Sequence, residues 1–565
     1  MRRWGNRVKG LHERGSRWIF AALVLVAFFV ILHLPLLTLY APLLAQPRHL
    51  AQPFLALFHD PQQRAALLNS LLLAIGAAGL ALLIGVPIAL CLTRLDVPFK
   101  SILAPAALIP LAIPPFLTAV VWIELLGQAG LLNQLLESFA FRISRFTIYN
   151  RPGVIWVLSL CYFPCIVWVT AGALRNVDAA LEDDARTCAS EWTVLRRVTL
   201  PLVAPSVMLG ALFVFLLSLA EFGVPSLLLI NQTALTNQTY QVGIFSDFSL
   251  RYDAAAARNS LPLLACMVIP FSCMWWSWRG KSWRSIGGSL SADFGNRCSR
   301  LPIGSRRDIR FIRYRSLLTA TCFFVLVVAD VVPLLSLFVH SLPLSRYAKV
   351  WNSHTTEIVN TALLPLVAAG GAVALAFAGT MVVERVIPRW QNVLTLCVLL
   401  PVAVPPVLVG IALIALYNRP ACDAIYGTKA IVVLGYLGRF LPFAFVAVRG
   451  AVQSLDVAWE EAAQVEGATW GQSLWHVTRP LAAPGLRAAG LLVFVLSAGE
   501  LSVTLLVNPP GGQTIPFTID NFMHFGHTPE VATLGMMLAA MTVGAALMWQ
   551  GTRRLARLGA DTLSG

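Results

Sequence analysis

Charge is what this 565-residue sequence has least of. Asp, Glu, Lys and Arg together make up 12% of it, about half the share usual in a soluble domain. With 57% hydrophobic residues, that shortage excludes a water-soluble globular chain. The sequence also has no CxxC pair. Its 10 cysteines are scattered, mostly inside apolar runs, so neither a disulfide framework nor a zinc site is implied. Cys161 and Cys165 share one helix face and read as a buried structural pair. The 9 histidines form no cluster, which removes the metal centre an integral-membrane enzyme would need. A nucleotide-binding loop is missing too. Gly280-Lys281-Ser282 resembles the end of one, but the upstream glycine position holds Trp275. A phosphate cradle needs the whole GxxxxGK[ST] behind a strand. The net charge of +15 has no soluble basic domain to sit on, so nucleic acid is not an expected partner.

What the sequence does have is apolar blocks of roughly 20 to 28 residues, each long enough for a helix to cross a hydrocarbon core. They fall at about 18–44, 66–92, 101–126, 153–174, 202–230 and 257–278. A second set falls at about 316–340, 358–383, 391–417, 430–448, 481–507 and 530–550. Backbone groups in lipid must pair within the chain, and unbroken apolar runs do so as helices. The expected fold is an all-α integral membrane protein with about 12 transmembrane helices. The first run exceeds the short apolar core of a cleaved signal and reads as a retained helix, kinked at His33 and Pro35. Charge placement orients the chain. With the N-terminus inside, inward segments hold 29 of the 42 Lys and Arg against 11 in outward ones. That bias predicts both termini in the cytoplasm.

The two sets of spans are a duplication. Glu182–Pro201 reads EDDARTCASEWTVLRRVTLP, and Glu461–Pro480, 279 positions on, reads EAAQVEGATWGQSLWHVTRP. Taken without a gap, Glu182 matches Glu461, Cys188 matches Gly467 and Pro201 matches Pro480. Further on, Glu221 matches Glu500. Earlier landmarks repeat at 291: Asn69-Ser70 with Asn360-Thr361, and residues 109–115 (IPLAIPP) with 400–406 (LPVAVPP). The first half therefore carries 12 extra residues, placed in segment 127–152, where LLNQLLESFAFRI reads as an amphipathic surface helix. The expected organisation is two tandem six-span repeats, 1–278 and 316–565. They are joined by a basic cytoplasmic linker, 279–315, that can touch anionic lipid. Six spans per repeat keep the halves parallel, about a pseudo-two-fold axis along the membrane normal.

The pattern EAA, three residues, Gly, nine residues, Val-x-x-Pro in 461–480 resembles the EAA loop of membrane permease subunits of binding-protein-dependent ABC importers. The resemblance covers essentially the whole chain, twice. The fused arrangement and the stretch GELSVTLLVNPPGGQT at 499–514 look most like ferric-iron permeases, with thiamine and aminophosphonate permeases also similar. It implies a permease, not an enzyme, in the bacterial inner membrane. It implies two copies of an ATPase subunit as partners, with ATP and magnesium bound there, and a periplasmic binding protein that delivers the solute. Glu182, Cys188, Pro201, Glu461, Ala462, Ala463, Gly467 and Pro480 would then form the loops that couple to the ATPase. The first loop departs from the pattern at Asp183, Asp184 and Cys188, and the second at Arg479.

Charges inside apolar runs are costly unless paired or facing water. Arg439 lies within GYLGRFLPF, with Glu500 or Asp330 as candidate partners. Glu124 and Asp330 are single-copy and read as interfacial or structurally paired. Glu221 and Glu500 recur at matching positions and, with Arg439, are the candidate pathway residues. The fifth spans are expected to carry both glutamates near their outer ends, as an acidic ring or as local helix caps. An ion-coupled secondary transporter, which can also be a two-fold duplication, is the alternative from a different class.

Overall fold

The computed structural model describes residues 2–46, 48, 50–94, 97, 100–139, 146–229, 238–250, 253–277, 315–525 and 528–563. The linker 279–315 lies outside them apart from Arg315, which opens a helix. Every regular element among the described residues is helical. Among the described residues eleven helices are long and apolar enough to cross a membrane, and a bent pair makes a twelfth span. Spans 1 to 6 are Gly15–Leu44, Pro61–Arg94, Pro115–Ser138, Arg151–Asn176, Glu191–Ala220 and Ala255–Trp276. Spans 7, 8, 10, 11 and 12 are Ser316–Ser341, Thr355–Val386, Ala430–Gln453, Trp470–Ala498 and Pro529–Met548. Span 9 is the pair Pro388–Ala403 and Pro406–Tyr417, bent by 101°. Six plus six spans is the count the apolar blocks predict.

The third span of each half is broken, where its apolar block predicts one continuous helix. Ile113 (φ −96°, ψ 120°) and Val404 (φ −105°, ψ 126°) are extended, as are Pro114 and Pro405 behind them. A residue before proline is pushed out of the α region by the proline ring, and two prolines in succession extend the break. The motif repeated at 109–115 and 400–406 is therefore a helix break, not a helix interior. The fifth spans also end early, at Ala220 and Ala498. Short helices, Gly223–Leu229 and Ser502–Val507, follow where the sequence reads as continuing helix. Some other prolines follow π turns, in which the hydrogen bonds skip one further residue. One such turn, Phe29–His33, stands before Pro35 at the predicted kink. Others, Leu195–Thr199 and Leu474–Thr478, stand before Pro201 and Pro480.

The extra residues of the first half follow helix Pro115–Leu126, where residues 127–150 correspond to 418–429 in the second half. Helix forms over Leu131–Ser138; 140–145 lie outside the described residues. Buried Asn133 ties this segment together, donating to the Gly127 and Phe146 carbonyls and accepting from the Phe146 amide.

The repeated Asn69-Ser70 and Asn360-Thr361 have the same job. Ser70 Oγ accepts from the Tyr240 amide and Thr361 Oγ1 from the Ile515 amide, both at 2.8 Å. Each hydroxyl thus caps the helix that follows the fifth span, Tyr240–Ser249 or Ile515–Phe525. Asn360 Nδ2 adds bonds to the Gly511 and Gln513 carbonyls. Ser70→Ala and Thr361→Ala should each cost about 0.5–2 kcal/mol, the usual value of a hydroxyl cap. Thermal unfolding of the detergent-solubilised protein would measure it.

The halves are repeats in sequence but not separate packing units. One core joins spans 2 to 4 with Cys322, Leu326 and Leu337 of span 7 and Leu534 and Leu538 of span 12. The other joins spans 8 to 11 with Ala21, Val24 and Phe28 of span 1 and Met267 and Phe271 of span 6. Each half lends its outer spans to the core of the other.

Candidate functional site

Two places collect the residues singled out in the sequence: a cavity between the halves, and the paired loops leading into spans 5 and 11. The cavity, about 270 Å³, is lined by Pro110–Phe116, by Tyr162 and Trp168 of span 4, and by Glu221, Arg439 and Glu500. Both broken third spans and both fourth and fifth spans reach it. The halves meet tightly beside it. A Cβ on Gly499 would sit 2.6 Å from Pro114, so only glycine lets these two chain breaks touch.

The charges around the cavity are paired locally. Glu221 ends span 5 in extended conformation. Its Oε2 accepts from the Tyr162 hydroxyl at 2.9 Å and its Oε1 from the Gly223 amide at 3.2 Å. Glu500 Oε1 accepts from the Val503 amide at 2.9 Å, and Glu500 Oε2 pairs with Arg439 Nη1. Both glutamates therefore cap the short helix that follows them and also line the cavity. Of the two partners the sequence leaves open for Arg439, the structure selects Glu500. Asp330 is buried on a π turn of span 7, with no hydrogen-bond partner among the described residues. Glu124 of span 3 lies 3.4 Å from His340 of span 7 and joins the two halves there. Cys161 and Cys165 are both buried, and their helix face lines the cavity.

The two loops differ by one residue. Helix Ala179–Cys188 carries Glu182, and helix Ala458–Val465 carries Glu460 and Glu461. Glu182 is buried, with Arg94 Nη2 and Thr199 Oγ1 both 2.9 Å from its Oε1. The residue in that position in the second half is Glu460, not Glu461. Arg385 binds it with two bonds, 3.0 and 3.1 Å, and Arg385 is Arg94 plus 291. The Asx turns that open the helices agree: Asp178 accepts from Ala180 and Asp456 from Ala458, an offset of 278. Beyond the turn, Ser190 and Thr469 cap the next helix at an offset of 279. The ungapped matches of Glu182 with Glu461 and Cys188 with Gly467 are thereby corrected.

The missing residue is at the turn. Gly467 has φ +95°; its amide bonds to Gln464 and the Ala468 amide to Ala463, both at 3.0 Å. That is the glycine-ended helix stop in which the residue after the cap is left-handed. The first loop has no left-handed residue; Ala189 is extended (φ −146°, ψ 156°). Glu461 and Ala462 are exposed, as are Cys188, Pro201 and Pro480, while Ala463 is half-buried. Arg479 lies over the Trp475 ring at 4.0 Å. Sequence reading missed Arg94, Arg385 and Tyr162. The first two carried a signal, since they repeat at the offset of the earlier spans.

Among the described residues no group of His, Cys, Asp and Glu could hold a metal ion. The sequence matches the family described as binding-protein-dependent transport system inner membrane component, twice, over residues 81–275 and 370–551. It is 23% identical to the Fe(3+)-transport system permease protein FbpB 2 of Haemophilus influenzae, over 90% of this chain and 92% of the relative. It is likewise 23% identical to the ferric transport system permease protein FbpB of Actinobacillus pleuropneumoniae, over 80% and 68%. The molybdenum transport system permease protein ModB of Mycobacterium tuberculosis is 30% identical over 45% of this chain and 91% of its own length. These are transport permeases rather than enzymes. The chain belongs to the inner-membrane components of binding-protein-dependent transport systems and carries the family's unit twice, as a fused, multi-span permease.

Proposed function

We propose that this chain forms the whole membrane pore of a ferric-iron importer. A periplasmic binding protein delivers the solute, and two copies of a separate ATPase subunit, holding ATP and magnesium, drive its entry. Both termini and both loops lie in the cytoplasm. The observation that carries the substrate is coverage. The ferric relatives match along both halves, whereas the molybdenum relative spans less than half of the chain. The cavity agrees with a cation, because two carboxylates, Glu221 and Glu500, face one guanidinium, Arg439. An acidic excess in a pore favours positive solutes. Membership of the family sets aside the ion-coupled secondary transporter.

The loops suit docking. Trp459, Val465 and Trp475 are exposed around the second, and Leu181 and Trp192 around the first. Exposed apolar side chains grouped beside charges mark a binding surface. Glu461 is exposed, with no ion pair among the described residues, and is positioned to meet the ATPase.

The test is reconstitution in vesicles. The purified chain alone should hydrolyse no ATP. With the ATPase and the binding protein it should take up radioactive ferric iron and not molybdate. ATP turnover by the isolated polypeptide would overturn the transport reading. Molybdate uptake without iron uptake would overturn the substrate.

A further inference from the structure

We infer that Arg94 and Arg385, at the last turns of spans 2 and 8, are positioning residues that clamp each coupling helix to its own half's second span. This rests on the transport reading above. In the second half the clamp is two-sided. Arg385 holds Glu460 by both arms of its guanidinium, at 3.0 and 3.1 Å. Its chain neighbour Glu384 accepts from Arg449 Nε of span 10 at 2.6 Å and from Gln453 Nε2 at 3.0 Å. Arg449 also reaches Thr395 of span 9 at 2.7 Å. Two adjacent residues thus tie the loop, the second span, the third and the fourth into one network.

In the first half Arg94 joins Glu182 at 2.9 Å and the Leu174 carbonyl, at the end of span 4, also at 2.9 Å. The positions of Glu384 and Arg449 are held there by Thr93 and, at the offset of 278, Ala171, so the outer arm of the network is absent. A two-pronged guanidinium–carboxylate contact fixes orientation as well as distance. A coupling helix held this way cannot turn without carrying its second span along. The neighbouring acids divide the work: Glu460 holds the loop to the membrane domain, and Glu461 is left facing out.

The experiment uses the full chain with its ATPase and binding protein. Arg385→Gln, Glu460→Gln and the double variant are compared for the ATP hydrolysis that the binding protein stimulates, expressed per ATPase subunit co-purified. Each single change should lower stimulated hydrolysis about tenfold or more, and the double should lose no more than the worse single, as for one shared interaction. Unchanged stimulation, or losses that multiply in the double, would overturn the clamp. Should Arg385→Gln fail to accumulate, the exchange Arg385→Glu with Glu460→Arg is read instead. Recovered stimulation supports the clamp, and none at a normal membrane level overturns it. A wild-type chain that shows no stimulation at all would instead fail the transport reading itself.

Discussion

Gly467→Val should lower uptake by about tenfold or more, while Cys188→Val should change it by less than about twofold. The difference follows from the backbone. At φ +95° a side chain meets the following carbonyl, at a cost of roughly 1–2 kcal/mol for an ordinary residue and more for a branched one. The helix Ala458–Val465 would have to end differently, and the two turn bonds from Gly467 and Ala468 would be lost. Cys188 closes its helix in ordinary conformation, exposed and without such a turn. Uptake assays at matched membrane levels read the outcome; equal losses at the two positions would remove the asymmetry. Glu182 is a different matter. It is buried against Arg94, so its replacement should be as damaging as that of Glu460.

Arg439→Leu should abolish accumulation of the protein in the membrane. Glu500 is 4% exposed. Removing the Arg439 guanidinium leaves a buried carboxylate whose remaining donor among the described residues is the Val503 amide, and breaking such a pair costs about 3–5 kcal/mol. Replacing both residues, Arg439→Leu with Glu500→Leu, should restore part of the accumulation, because it removes the stranded Glu500 carboxylate while Glu221 keeps its Tyr162 and Gly223 donors. Immunoblots of membrane fractions test this. Uptake by the rescued double variant then separates structure from pathway: Glu221 keeps one carboxylate in excess at the cavity, so low uptake would make the Arg439–Glu500 pair itself part of the pathway. Full uptake would make the pair purely structural.

Much of this was legible beforehand. Duplication and span count follow from apolar length and repeated landmarks, which local chemistry writes directly into sequence. Asn69 and Asn360 were visible as a repeat, but their partners lie across the fold. The breaks at Pro114 and Pro405 were hidden because apolar residues flank them on both sides, and hydropathy reads the run as one helix. The register slip was hidden because Glu460 and Glu461 are adjacent, so either matches Glu182 equally well. Only the buried partner, Arg385, tells them apart. The pairing of Arg439 with Glu500 needed geometry, since two acids were candidates.

The exchange of outer spans between the cores has a consequence in time. Phe28 of span 1 packs on Gly379 and edge-on to Phe445, and both belong to the far half. A ribosome adding about 5–20 residues per second makes them only tens of seconds after Phe28. Span 1 therefore waits in lipid, without its permanent neighbours, while most of the protein is still unmade. Birth order and final packing order run opposite, and the earliest helix is among the last to lock. Premature chain termination between the halves would leave behind not one finished domain but a core missing the side chains that spans 7 and 12 supply.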